Sequence, residues 1–149
     1  MDTRTMLTDE LDLKLLLGVL TAMKKGDFST RMPCDLTGLA GKISDTLNDV
    51  MDANEQLTRE IADVSRVVGR EGRLSLRASV PNVAGSWATV IKSVNTLIDD
   101  LTQPTTDMAR VIGAVAKGDL SQRMALDVDG RPLKGQFLQT AKTANTMVD

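Results

Sequence analysis

Ile43, Leu47, Val50, Asn54, Leu57, Ile61, Val64 and Val68 follow one another at alternating spacings of four and three residues. Shifted by 47 residues, Val90, Val94, Leu97, Leu101, Pro104, Met108, Val111 and Val115 repeat the ladder. Such an alternation is the narrow seam of a coiled coil rather than the wider apolar stripe of a helix in a globular core. Leu16, Val19 and Met23 carry the same kind of pattern near the start, and Met147 stands in heptad phase at the end. Two seam positions break the apolar rule. Asn54 is expected to fix register at some cost in stability. Pro104 is expected to kink the helix or restart one as its first residue.

The seams alternate with a second recurring feature. Lys25-Gly26-Asp27-Phe28-Ser29, Glu71-Gly72-Arg73-Leu74-Ser75 and Lys117-Gly118-Asp119-Leu120-Ser121 place their glycines 46 residues apart, twice. Arg31, Arg77 and Arg123 each follow the glycine by five residues. Gly38, Gly85 and Gly135 each precede an asparagine, Asn48, Asn95 and Asn145, by ten. A period in this range marks an array of supersecondary units. Each unit reads as helix, connector, helix, with Gly26, Gly72 and Gly118 as left-handed closing residues. The connectors, holding Pro33, Pro81 and Pro132, read as too broken for regular structure.

Connector length sets helix direction. The 12 residues from Gly26 to Gly38 extend to roughly 40 Å. The preceding helix, some 16 residues, is only about 24 Å long, so the chain can return and start a parallel helix. Phe28 and Met32, Leu74, and Leu120 and Met124 are placed to pin the returning strands. A parallel pair with narrow seams cannot bury itself, so the expectation is all-α: three tandem units in a parallel four-helix coiled coil, completed by a homodimer. The predicted units are 10–56, 57–103 and 104–149, after a lead over 1–9. The third stops in heptad phase, as if cut through a helix.

Composition narrows the function. The chain has no histidine, one cysteine, 2% aromatics and a net charge of −2. Histidine-ligated metals and Ser-His-Asp or Cys-His triads are thereby excluded, and no cofactor or metal is expected. Too few aromatics are present for a base-stacking platform, so nucleic acid is not an expected partner. Arg66, Arg70, Arg73 and Arg77 read as a solvated helix end, Cys34 as an inert thiol, Trp87 as packing, and Met23, Met108 and Met147 as core filling. No signal peptide or apolar span is visible, which predicts a cytoplasmic location and leaves membrane association of a parent complex open.

Helix, GDFSTRM-type connector and a second helix with the glycine and asparagine landmarks together resemble the HAMP signalling domain. Val115-Ala116-Lys117-Gly118-Asp119-Leu120-Ser121-Gln122-Arg123, with Asn145-Thr146-Met147-Val148-Asp149, is especially similar to tandem HAMP arrays of soluble hybrid histidine kinases. The resemblance implies a parallel homodimer, no catalysis within the units, and relay of a conformational change to a downstream kinase of the same polypeptide. The alternatives are a chemoreceptor-type array or a plain dimerisation coiled coil. Leu39, Ser86 and Gln136 stand where many HAMP units carry an acid, and Asp12 and Leu57 where the family has the proline matched by Pro104. Unit two differs further: Arg73 replaces aspartate, Ala78 replaces Met32 and Met124, and one extra residue separates Val68 from Gly72. It is therefore predicted to pack differently from the other two.

Overall fold

The structure, a computed structural model, describes residues 11–149; the predicted lead over 1–9 lies outside them. Helix α1 spans Leu13–Lys24, α2 spans Gly38–Val64 and continues as a π-helical turn over Ser65–Arg70, and α3 spans Gly85–Ala116. A two-stranded antiparallel ladder, β1 (Asp127–Val128) with β2 (Arg131–Pro132), precedes α4 (Gly135–Met147).

Local chemistry explains the ends. Asp12 caps α1, its carboxylate accepting from the backbone N–H of Lys14 at 3.0 Å and Leu15 at 3.2 Å, two donors that the first turn leaves unpaired. At the other end Gly26 takes φ +85°. Its N–H donates to Met23 and that of Asp27 to Ala22, both at 2.9 Å. This is a Schellman closure. Gly118, at φ +83°, ends α3 in the same way, with Gly118 donating to Val115 and Asp119 to Ala114.

Between these two the chain carries its extra residue. From Ser65 the helix widens into the π segment, and beyond it Arg73 donates to the carbonyl of Val67 at 3.1 Å. That bond spans six residues where the other two closures span five, so the insertion is absorbed in a wide turn.

Two expectations need correcting. Pro104 does not restart a helix as its first residue: it is buried inside the 32-residue α3. The third connector is not wholly irregular. Asp129 and Gly130 both take positive φ, 52° and 75°, the backbone pattern of a two-residue type I′ hairpin turn, and the flanking pairs close into the ladder.

The chain divides into two units. In one, the described residues to Arg66 join Ala78–Ile91, and Val19, Met32 and Met51 form a core with Leu11, Leu16, Met23, Phe28 and Leu47. In the other, Val67–Arg77 join Lys92–Asp149 around Val111, Met124, Ala141 and Val148, with Met108, Val115, Leu133 and Ala144 against them.

Candidate functional site: connector clamps

Each connector is fastened to the helix that follows it. The backbone N–H of Met32 donates to Asn48 Oδ1 at 2.7 Å, and Asn48 Nδ2 donates back to the Met32 carbonyl at 3.0 Å. One side-chain amide thus satisfies both main-chain groups of a buried residue, as a ladder rung would. Met124 and Asn145 make the same pair at 2.7 and 3.1 Å. In the second connector Ala78 is buried at the corresponding place, and Asn95 stands on α3 at the corresponding point.

An arginine forms the other half. Arg31 Nη1 donates to the carbonyls of Phe28 and Thr30, while Nε and Nη2 reach Asp52 at 3.1 and 2.7 Å. Arg77 donates to the carbonyls of Leu74 and Leu76 and binds Asp99 at 2.9 and 2.7 Å. Arg123 donates to the carbonyls of Leu120 and Gln122 and binds Asp149 at 2.6 Å. The planar guanidinium holds the turn's carbonyls with one edge and a carboxylate with the other, on the helix for Asp52 and Asp99 and just past the helix end for Asp149. These ion pairs are partly exposed, so each contributes at most about 1 kcal/mol. Apolar burial contributes more. Removing Met32 or Met124 from water, both nearly inaccessible, stabilises the connector by roughly 1.5–3 kcal/mol.

The turn itself is set by Asp27, whose carboxylate accepts from the Ser29 hydroxyl at 2.6 Å and the Ser29 N–H at 3.0 Å. These bonds, the hydroxyl's first, hold the Asp27 carboxyl below the usual carboxylate range. Asp119 is lowered by the same pair of bonds from Ser121. A further tie secures the second and third connectors, where Ser79 N–H donates to Glu60 at 2.7 Å and Ala125 N–H to Asp107 at 2.8 Å.

The sequence landmarks fall into groups. Of the seam residues, Val19, Val64 and Val111 are buried, whereas Leu16, Met23, Leu47, Val50, Asn54, Leu57, Ile61, Val68, Val94, Met108 and Val115 are half-buried. Ile43, Val90, Leu97, Leu101 and Met147 are exposed. Beside Ile43, Val50, Leu97 and Met147, full burial falls one position further on, at Ser44, Met51, Ile98 and Val148. One residue is about 100° of helix, so a chain's own connector covers the face beside the seam. In the first unit the seam borders an open groove of about 550 Å³ lined by Leu16, Leu20, Leu39, Ile43, Leu47 and Val50.

Among connector residues Met32 and Met124 are buried, Phe28 and Leu74 half-buried, and Leu120 exposed, so Leu120 does not pin its strand. Gly26, Gly38, Gly72, Gly85, Gly118 and Gly135 all take positive φ. Trp87 donates its indole N–H to Asn54 Oδ1 at 3.5 Å, and Asn54 Nδ2 donates to the Val50 carbonyl at 2.8 Å. Of the acids of the clamps, Asp52 and Asp99 are not among the residues singled out by sequence, and Asp149 appears there only as the end of a quoted stretch. Asp52, Asp99 and Asp149 each lie four residues after the landmark asparagine, and that thrice-repeated spacing is the signal that marks them.

No helix among the described residues is long and apolar enough to cross a membrane. No solved structure matches the chain. It is similar to the methyl-accepting chemotaxis protein McpB of Pseudomonas aeruginosa, with 26% identity over 142 residues, covering 89% of this chain and 21% of that protein. The chain thus spans about a fifth of that relative's length. Residues 82–149, which hold Asp99 of the second arginine clamp and all of the third clamp, match the HAMP domain family.

Proposed function

We propose that this chain is a conformational relay: three tandem HAMP-like units, paired as a parallel homodimer, that pass a change along their helices to an output domain of the same polypeptide. The observation that carries it is the recurrence of one clamp, an arginine on turn carbonyls and an aspartate four residues past the landmark asparagine, at Arg31, Arg77 and Arg123. A plain dimerisation coiled coil needs a seam but no fastened connectors. The HAMP match over 82–149 and the seam residues left exposed in a single chain, Leu97 and Leu101 among them, support the same reading. Packed seams have discrete alternatives, so a small input can flip a two-state element.

For the output, the likeness of the connectors to hybrid-kinase arrays favours a histidine kinase. The methyl-accepting relative favours the second reading, a chemotaxis-type coiled coil. The test has two parts. Light scattering at micromolar concentration should return the mass of two chains, and a monomer overturns the pairing. In the full-length parent, Asp52→Ala and Arg31→Ala should each shift basal output, and the double variant should shift it no further than the larger of the two single ones. Output indifferent to both single variants removes the clamp from the signalling route.

A further inference from the structure

The third connector is longer than the others: 17 residues separate Gly118 from Gly135, against 12 from Gly26 to Gly38 and 13 from Gly72 to Gly85. Its surplus is the β1–β2 hairpin, closed where the Leu133 N–H donates to the Leu126 carbonyl at 2.8 Å. The hairpin lies beside the one helix position that lacks a donor. Pro104 has no N–H, so the Asp100 carbonyl loses its partner one turn back and the proline ring crowds it. The connector grips α3 on both sides of this defect. Four residues before Pro104, Asp100 Oδ1 accepts from Arg131 Nη2 of β2 at 3.2 Å. Three residues after it, Asp107 Oδ2 accepts from the Ala125 N–H at 2.8 Å, and six after it Arg110 donates to the Arg123 carbonyl at 2.7 Å. Between the two grips, Val128 and Leu133 border Pro104 around a hollow of about 250 Å³.

The second connector supplies an internal comparison. Its Ser79 makes the matching downstream tie, to Glu60 of α2, where the helix has Leu57 in place of the proline. It has no hairpin among its described residues. The upstream reach, formed by Arg131, thus accompanies the proline.

We propose that the third connector's hairpin is a splint across Pro104. It braces α3 from Asp100 to Asp107 where the helix has lost a hydrogen bond, and releasing it frees a joint. This device belongs to α3 and does not depend on what the chain signals.

The experiment is amide hydrogen exchange over residues 99–108 of the 149-residue chain, in the parent and in a Pro104→Leu background. Arg131→Ala should speed exchange there about two- to five-fold, the loss of one exposed ion pair. Replacing 127–132 by two glycines should speed it further. In the Pro104→Leu background, where the helix bond is restored, Arg131→Ala should change exchange less than it does in the parent. Arg131→Asp with Asp100→Arg should return protection toward the parent's. If the shortened connector fails to fold, the point variants decide alone. Equal acceleration in both backgrounds makes the hairpin a general stabiliser and overturns the splint, as does parent-like exchange in Arg131→Ala.

Discussion

Gly41, in the first turn of α2, packs against the backbone of Leu36 in the first connector. A Cβ built there would stand 2.4 Å from the Leu36 carbonyl oxygen, a main-chain atom that cannot swing aside. Gly41→Ala gains about 1 kcal/mol of helix propensity, but the overpacking costs about 1–3 kcal/mol, so its melting temperature should fall. Gly113, inside α3, meets nothing within 4 Å, and Gly113→Ala should raise stability by roughly 0.5–1 kcal/mol. Thermal melts that rank Gly41→Ala at or above the parent would overturn the close approach. The aspartates of the two turns make a pH prediction. Asp27 and Asp119 are lowered in the folded chain, so the unfolded chain takes up their protons first as pH falls. Their contribution is complete above the ordinary carboxylate value of about 3.9 and is lost as pH drops through the lower folded value. Ser29→Ala should raise the Asp27 value toward the ordinary one in a carboxyl NMR titration. An unmoved titration would mean that the hydroxyl is not the cause.

At the scale of elements, the seam and the closing glycines are legible because period and left-handed backbone leave direct marks in residue order. The extra residue between Val68 and Gly72 is legible as a count, but not as a π turn. Spacing shows that a residue is surplus, and only the carbonyl chosen by Arg73 shows where it goes. Deleting Gly69, which is exposed and where an added Cβ would meet nothing within 4 Å, should convert that six-residue span into the five-residue closure seen at Gly26 and Gly118. Removing an interior glycine also recovers about 0.5–1 kcal/mol, so the deletion variant should melt at or above the parent; a lower melting temperature would show that the wide turn fits its surroundings better than the narrow one. The hairpin escapes a reading by periodicity although Asp129-Gly130 is a strong turn signal. Its strands are two residues each, too short for alternation to register. The intrinsic preference of Pro104 is to break a helix, and α3 runs through it because neighbouring tertiary ties hold it.

The whole molecule depends on which face of each helix is left open. The 4-3 ladder stands in residue order, but residue order alone does not show how connectors seat, and so it does not separate seam from the adjoining buried face. Met51 and Ile98 bury within one chain, while Val50 stays half-buried and Leu97 is exposed. In the proposed parallel dimer those seam positions meet their counterparts, and Asn54 is the polar one among them. Asn54→Leu should raise the melting temperature, since an apolar seam residue replaces a polar one and the half-buried Trp87 can turn its indole N–H to water. A lower melting temperature would place Asn54 outside the apolar seam. The relay makes a stricter demand. Ile43 to Asn54 and Leu57 to Val68 are one ladder in sequence, and α2 is unbroken helix between Asn54 and Leu57. One inserted residue there turns everything beyond it by about 100°, which takes the later seam off the face set by the earlier one. Each half still has its own apolar ladder, so the dimer should persist by light scattering. In the full-length parent, basal output should change and the response to stimulus should be lost or inverted, because a rotation or tilt at one end no longer meets a seam in phase at the other. A parent that keeps both its basal output and its response after the insertion does not signal through the continuity of this helix.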